Sequence, residues 1–278
     1  MALDTSPHEL ADGKLLVDHP ADGVIRLTIS NPAKRNALDH PILDAITATL
    51  AEISASGAQE SQARCLLITG ANGMFSAGYD IGEIPSDEFE ERAEKLVAHP
   101  FTEAIDALEA FPWPTLAMLP GHTIGGGLEL ALSCDLRVAQ DDIKLGMPPA
   151  KLGLVYSHTG LRRFIDAIGA ARTRELFLLG SYIDAPTALS WGLVNRVAAA
   201  DVLEDTTLSL AAELAGNAPL SQLGNKRVIA ALLSVEAQLE PDVEQELIEL
   251  RRASFASQDM REGMRAFAER RAPRWLGQ

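Results

Sequence analysis

Two short glycine-containing stretches are the parts of this sequence that could do chemistry. The first is residues 75–81, and the second is residues 121–130, which contains the triplet Gly125, Gly126 and Gly127. Turns of this kind leave backbone N–H groups free to bind a ligand. Two turns that each direct one N–H at the same carbonyl oxygen would form an oxyanion hole, which stabilises negative charge without a metal or a side-chain nucleophile.

The elements around these turns are predicted to position them. Each turn follows an apolar, strand-like run, at residues 65–69 and 115–119. The second turn continues into a predicted helix over residues 128–134, whose first amides and dipole favour negative charge. Glu129 stands at the start of that helix and is the nearby ionisable group.

Other motif interpretations fit less well. The glycine triplet is not a dinucleotide fingerprint, because Leu130 stands where the last glycine would be needed. Ser76 is not a nucleophile elbow, since Met74 replaces the required glycine. The six histidines form no metal-ligand pattern, so we expect no metal.

Composition limits the function further. At 278 residues with 47% hydrophobic content, the chain can build one sizeable core with an appendage, or two modest domains. The sequence contains no apolar run long enough to predict a transmembrane helix, and its N-terminus lacks a secretory pattern. We therefore expect a cytoplasmic protein. The net charge of −15 argues against binding to nucleic acid or anionic membranes. Cys65 and Cys134 are predicted to be buried thiols.

Hydrophobic periodicity predicts a mixed α/β region followed by helices only. Strands are predicted at residues 24–29, 65–69, 115–119, 136–139 and 144–146. Helices are predicted at residues 41–53, 93–108, 160–168 and 170–179, and then at 203–215, 220–233, 243–255 and 259–271. The sequence therefore predicts an α/β core over residues 1–200 with the ligand site, and a helical region over residues 201–278.

In its two turns the chain resembles the enoyl-CoA hydratase/isomerase (crotonase) superfamily, and residues 31–38 and 185–197 extend the match. The resemblance implies an α/β crotonase (ClpP-like) spiral of ββα units with a C-terminal all-helical trimerisation region. It implies an acyl-CoA substrate, whose thioester enolate lies between the amides of Tyr79 and Gly126. Coenzyme A would then be part of the substrate, with no separate cofactor, and the protein would be a homotrimer or hexamer.

The same resemblance assigns the residues that would contact the substrate or its coenzyme A. Lys34 and Arg35 are the local cations expected to meet its phosphates. The full set comprises Lys34, Arg35, Ala37, Ala77, Asp80, Ile81, Gly125 and Pro149.

The reaction is suggested by one departure from the family pattern. Hydratases of this superfamily use two glutamates; Glu129 matches the first, but Pro149 occupies the place of the second. Proline cannot transfer a proton, whereas decarboxylation of a malonyl-type thioester needs only the oxyanion hole. The chain is also similar to the methylmalonyl-CoA decarboxylase branch, in which residues matching Tyr156 and Glu129 line the acyl pocket.

Two other functions stay open at this point. The chain could be an enoyl-CoA hydratase or isomerase that works with Glu129 alone. It could also be a non-catalytic acyl-CoA-binding or RNA-binding member, although the net charge disfavours RNA. Apolar positions in the helical region, such as Val243, Leu247, Leu250 and Phe255, could form subunit contacts or pack within the chain.

Overall fold

A computed structural model describes residues 7–55, 63–80, 100–235 and 241–275 of the chain. The strands are β1 (His8–Leu10), β2 (Leu15–Ala21), β3 (Val24–Ile29), β4 (Cys65–Gly70), β5 (Thr115–Leu119), β6 (Thr123–Ile124), β7 (Leu136–Gln140), β8 (Lys144–Gly146), β9 (Tyr182–Asp184) and β10 (Arg196–Ala198). The helices are α1 (His40–Ala55), α2 (Thr102–Ala110), α3 (Gly126–Leu132), α4 (Pro149–Leu152), α5 (His158–Leu179), α6 (Ala185–Trp191), α7 (Leu203–Gly216), α8 (Pro219–Val235), α9 (Pro241–Ala256) and α10 (Gln258–Glu269).

The central sheet has seven strands in the order β1-β2-β3-β4-β5-β7-β10. The first three strands pair antiparallel, and the pairs from β3 to β10 are parallel. Strands β4 and β5 are buried along their whole length, which is why they read as continuous apolar runs rather than alternating ones. A second, three-stranded sheet has the order β6-β8-β9.

Helices cover both faces of the central sheet. On one face, α1 and α2 pack together in the large core that includes Leu43, Ile46 and Ile105. On the other face, Leu203, Leu210 and Ala211 of α7 pack against β4, β5 and β7. The division of the chain at residues 200 and 201 stays a prediction, and α7 lies against the sheet of the preceding segment.

The helix after the glycine triplet differs from the prediction. It was expected over residues 128–134 but runs over Gly126–Leu132, because the turn is already complete at Gly125, which has φ 57° and ψ −129°. The helices predicted at 160–168 and 170–179 form one element, α5, with a non-helical residue at Gly169 between them. Of the helix predicted at 93–108, residues 93–99 lie outside the described residues.

The last two helices reach back to the core. Helix α10 packs on α4, and Ser254 of α9 accepts a hydrogen bond from the backbone N–H of Val155 at 2.9 Å. Phe255 is buried within its own chain, whereas Val243 and Leu250 are 40% and 49% exposed, and subunit contacts by these helices stay a prediction. No helix in the described part of the chain is long and apolar enough to span a bilayer.

Candidate active site

The turn after β4 is held by pairing with residues 35–38. Asn36 fixes its start, since its side-chain amide donates to the carbonyls of Ala71 and Met74 at 2.9 and 2.7 Å. The Leu38 N–H then donates to Gly78 O at 2.7 Å, and the Asp80 N–H donates to Leu38 O at 2.9 Å. Because alternate residues of an extended segment face opposite sides, the Tyr79 N–H between them points away from this pairing.

The glycine triplet forms the facing turn. The N–H groups of Leu128 and Glu129 both donate to Gly125 O, at 2.9 and 3.2 Å. Gly126 is the first residue of α3, so its N–H has no acceptor within the helix. Among the described residues, neither this N–H nor that of Tyr79 donates a hydrogen bond to the protein.

The two turns touch because glycine stands at their contact. Gly78 has φ +98°, and a Cβ added there would lie 3.2 Å from the nitrogen of Gly126 and 3.0 Å from Ile124 O. A Cβ at Gly126 would lie only 2.7 Å from Cε1 of Tyr79. The turns can therefore bring two free amides to one place, which is the geometry that an oxyanion hole requires.

Both turns open on a cavity of about 90 Å³. Its remaining walls come from α4 with its flanking residues and from the two C-terminal helices. The lining residues are Ala77, Gly78, Tyr79, Ile124, Gly125, Gly126, Met147, Pro148, Pro149, Leu152, Leu154, Tyr156, Phe255 and Met260. Pockets that enclose a whole drug-sized ligand measure roughly 300–1,000 Å³, so this cavity can hold only a small part of a larger molecule.

A line of hydrogen bonds leads from the cavity into the protein. The hydroxyls of Tyr79 and Tyr156 lie 3.3 Å apart, and the Tyr156 hydroxyl donates to Oε2 of Glu129. Glu129 is 2% exposed and is absent from the cavity lining. Its other oxygen, Oε1, accepts from Nη1 of Arg163 at 3.2 Å. Tyr156 thus stands between Glu129 and the space that a ligand would occupy.

Burial sets the protonation of these groups. Desolvation raises the pKa of Glu129, while the hydrogen bond from Tyr156 and the charge of Arg163 oppose the rise. Desolvation and the neighbouring Glu129 raise the pKa of both Tyr79 and Tyr156 well above the usual value. Both tyrosines therefore carry their proton near neutral pH and act as hydroxyls rather than as bases.

Pro149, which matches the second glutamate of the family's hydratases in the sequence resemblance, lies in the wall of the cavity. It is the first residue of α4, is buried and faces the cavity. Proline is favourable at this helix position, because the missing N–H would have had no helical acceptor. None of the described residues that line the cavity carries a carboxylate.

Most of the residues predicted to contact the substrate or its coenzyme A lie in or beside the first turn, whereas Gly125 lies in the second turn and Pro149 begins α4. Lys34 forms an ion pair with Asp80 at 2.7 Å, and Arg35 is exposed beside it. Ala37 is buried, and Ala77 borders the cavity and donates its N–H to Arg35 O at 3.0 Å. Ile81 lies outside the described residues.

Arg163, Phe255 and Met260 are among the residues at the site that were not predicted from the sequence. Arg163 lies in α5 next to Arg162, and no sequence motif distinguishes it as a functional residue. Phe255 and Met260 reach the cavity from the C-terminal helices. The amphipathic pattern of those helices indicated buried faces, but it did not indicate what they cover. In the described part of the chain, no group of three or more His, Cys, Asp or Glu is placed to hold a metal ion.

Comparison with known proteins gives the site a context. A family described as enoyl-CoA hydratase/isomerase matches residues 20–278. A probable enoyl-CoA hydratase of Mycobacterium leprae is 34% identical over 252 residues, which are 90% of this chain and 93% of the relative. A methylmalonyl-CoA decarboxylase of Escherichia coli is 30% identical over 246 residues, with 88% and 91% covered.

Solved structures are similar over the whole fold. One is methylmalonyl-CoA decarboxylase in complex with 2-nitronate-propionyl-CoA, with a TM-score of 0.84 and 28% identity, covering 95% of this chain and 99% of the other. Another is an enoyl-CoA hydratase from Mycobacterium avium subsp. paratuberculosis, with a TM-score of 0.78 and 27% identity, covering 95% and 98%.

Proposed function

This chain belongs to the enoyl-CoA hydratase/isomerase (crotonase) family, and from that membership we propose that it decarboxylates a methylmalonyl-type acyl-CoA thioester. The observation that carries the proposal is the composition of the cavity wall. Two free amides meet there, Glu129 lies behind Tyr156, and the wall holds Pro149, which the family resemblance aligns with the second glutamate. The wall supports a reaction that makes an enolate without removing a proton.

Decarboxylation is such a reaction. The bond between the α-carbon and the substrate carboxylate breaks, carbon dioxide leaves, and the electron pair moves into the thioester as an enolate. The amides of Tyr79 and Gly126 then bind the enolate oxygen. In comparable sites, each good donor lowers the barrier by about 3–4 kcal/mol. The α-carbon finally takes up one proton, which gives the saturated thioester.

The tyrosines are the polar side chains closest to this chemistry. Tyr156 lines the cavity, and its hydroxyl is oriented by Glu129. We assign to Tyr79 and Tyr156 the contact with the substrate carboxylate or the delivery of the final proton. Glu129 acts through Tyr156, since it does not reach the cavity wall.

The coenzyme A portion is assigned to the outer side of the first turn. Lys34 and Arg35 would meet its phosphates, with Lys34 exchanging Asp80 for the ligand, while Ala37, Ala77 and Gly125 border its path. The acyl group would enter the small cavity that Phe255 and Met260 close. Coenzyme A takes part only as a portion of the substrate.

A homotrimer or hexamer is part of the same proposal. Helix α8 exposes an apolar row, in which Leu220 is 86% exposed and Leu232 is 66% exposed. Large exposed apolar patches are typical of surfaces that another protein covers. Sedimentation velocity of the purified chain would test this, since a monomer would contradict it.

The proposed reaction is tested by incubating the purified protein with methylmalonyl-CoA in D₂O and following the products by mass. The expected product is propionyl-CoA with one deuterium at the α-carbon, formed as carbon dioxide is released. Absence of carbon dioxide, with the substrate unchanged at high enzyme concentration, would contradict the proposal.

Hydration of an enoyl-CoA is the second candidate. It is favoured by the names of relatives such as the Mycobacterium leprae protein. It would require Glu129 to reach the cavity, for example by rotation of Tyr156 away from it. Addition of water to crotonyl-CoA, without decarboxylation of methylmalonyl-CoA, would favour this candidate.

A further inference from the structure

Arg163 is the charged residue that stands behind Glu129. It lies in α5 with its side chain 16% exposed, and its Nη1 donates to Oε1 of Glu129. Its Nε and Nη2 donate to the two carboxylate oxygens of Glu109 at 2.6 and 2.9 Å. Nη2 also reaches Asp106 at 3.3 Å. One guanidinium therefore joins the surface of α2 to the buried carboxylate.

The paired bonds to Glu109 fix the orientation of the guanidinium. A carboxylate that accepts from two N–H groups holds the arginine in one plane, which leaves Nη1 directed at Glu129. Arginine keeps its proton at any pH that the fold survives. It thus places a permanent positive charge beside Glu129, and it cannot pass a proton from the surface to the cavity.

The charge of Glu129 decides where the hydroxyl protons point. An ionised carboxylate can only accept, so Tyr156 gives its single proton to Glu129. The oxygen of Tyr156 is then left to accept from Tyr79. If Glu129 took up a proton, it could donate to Tyr156, and the order of donors could reverse.

We propose that Arg163 is a positioning residue, which keeps Glu129 ionised and thereby fixes the direction of the Tyr79–Tyr156–Glu129 hydrogen bonds. The kinetic part of this proposal rests on the proposed function, because the same two hydroxyls face the acyl cavity. The structural part concerns only the ionisation of Glu129 and stands without any substrate.

The sign of the pH effect follows from the groups around Glu129. Burial raises its pKa, Tyr156 and Arg163 lower it, and the more distant Glu109 raises it. Removing the charge of Arg163 therefore raises the pKa of Glu129 further. A larger fraction of Glu129 is then protonated at a given pH. As the pH falls, an activity that requires ionised Glu129 is therefore lost at a higher pH than in the wild type.

The test compares Arg163→Gln, Arg163→Lys and the matched control Arg162→Gln. Arg162 precedes Arg163 in the same helix and pairs with Asp166 at 2.7 Å, so its loss changes the net charge equally without touching Glu129. Infrared spectra of the substrate-free proteins, recorded across pH, report the carbonyl band of a protonated carboxyl. The band is assigned by its disappearance in Arg163→Gln/Glu129→Gln.

We expect the band to persist to higher pH in Arg163→Gln than in the wild type, in Arg163→Lys or in Arg162→Gln. The acid limb of the kcat profile should move in the same direction in Arg163→Gln alone, with a loss in kcat of about 10- to 100-fold from misorientation of the hydroxyls. Arg163→Lys should keep the wild-type limb, because it keeps the charge. An unchanged band in folded Arg163→Gln would overturn the proposal.

The infrared result separates this proposal from the proposed function. If the wild type decarboxylates nothing, the kinetic readout is lost, yet the band still shows whether Arg163 sets the ionisation of Glu129. If Arg163→Gln fails to fold, Glu109→Gln provides a milder change at a side chain that is 41% exposed. That variant loosens the hold of α2 on the guanidinium, which keeps its contact with Asp106, and it removes a negative charge that by itself raises the pKa of Glu129. A band that persists to higher pH than in the wild type would therefore support the anchoring role, and a band lost at lower pH would overturn it.

Discussion

Tyr156 separates Glu129 from the cavity: Tyr156 lines the cavity and Glu129 does not, and the Tyr156 hydroxyl donates to the Glu129 carboxylate. The residue with the strongest sequence signal for acid–base chemistry is thus placed one layer away from the ligand. The charge of the Glu129 carboxylate therefore affects the cavity through the orientation of the Tyr156 hydroxyl. Each prediction below follows from this layering or from the two turns in front of it.

Tyr156→Phe should lower kcat with methylmalonyl-CoA by about 100-fold, the size of a lost proton-transfer group. It should also destabilise the fold by about 1–3 kcal/mol, because Oε2 of Glu129 loses its buried partner. Steady-state kinetics and urea unfolding measure the two effects. Tyr182→Phe is the control, since Tyr182 is 52% exposed and is absent from the cavity lining; equal losses in both variants would argue against a specific role.

Gly78→Ala should close the oxyanion hole. The added methyl would lie 3.2 Å from the nitrogen of Gly126, so we expect a loss in kcat of about 100- to 1,000-fold. Gly73→Ala is matched to it: Gly73 also has positive φ, at +67°, but a Cβ there meets nothing within 4 Å. Comparable activity in the two variants would mean that backbone strain, and not the hole, limits the rate.

Pro149→Glu should give the cavity the carboxylate that its wall lacks. The first position of a helix accepts an acidic side chain well, because the helix dipole favours it. We expect hydration of crotonyl-CoA to appear or rise in this variant, measured by loss of the enoyl absorbance. Pro149→Gln, which has the same shape without the charge, should show no such gain; a gain in both would point to altered backbone instead.

Met260→Ala should widen the cavity at the end closed by the C-terminal helices. The side chain is 1% exposed, so its truncation should cost about 2–5 kcal/mol of stability. Turnover of thioesters with longer acyl groups should rise relative to methylmalonyl-CoA. Met260→Leu keeps the volume and should keep the wild-type preference; an unchanged preference in Met260→Ala would exclude this residue from chain-length selection.

The two thiols should be unreactive in the native protein. Burial raises the pKa of Cys65 and that of Cys134 to about 12, so thiolate is scarce at pH 8. A disulfide reagent should label neither thiol in buffer and both in guanidinium chloride. Rapid labelling of the native protein would show that one of them is accessible.

Much of the site could be predicted from the sequence, because short turns and buried strands depend on the residues within them. The positive φ of Gly78 and the first-turn position of Gly126 depend on glycine in short turns. Strands β4 and β5 carry continuous apolar runs that admit few other structures. The boundary between the helices predicted at 160–168 and 170–179 coincides with the non-helical residue Gly169 within α5.

The parts that were not predicted depend on contacts between distant segments. Strands β1, β2, β6, β9 and β10 were missing from the sequence prediction. Strands β1, β6, β9 and β10 have two or three residues each, too few to show a period, whereas β2 has seven residues and was missed although it pairs with the neighbouring β3. Arg163 gains its role only because α2, α3 and α5 bring Glu109 and Glu129 to the same guanidinium. The sequence resemblance predicted that both Glu129 and Tyr156 line the pocket. Tyr156 lines it and Glu129 lies behind Tyr156, which is a consequence of packing between distant segments.

The central claim is that this oxyanion hole serves decarboxylation, and the most direct measurement is the pair of kcat/KM values for methylmalonyl-CoA and crotonyl-CoA with one wild-type preparation. The account predicts release of carbon dioxide from methylmalonyl-CoA with the larger kcat/KM, and little or no hydration of crotonyl-CoA. Efficient hydration of crotonyl-CoA without release of carbon dioxide from methylmalonyl-CoA would contradict it.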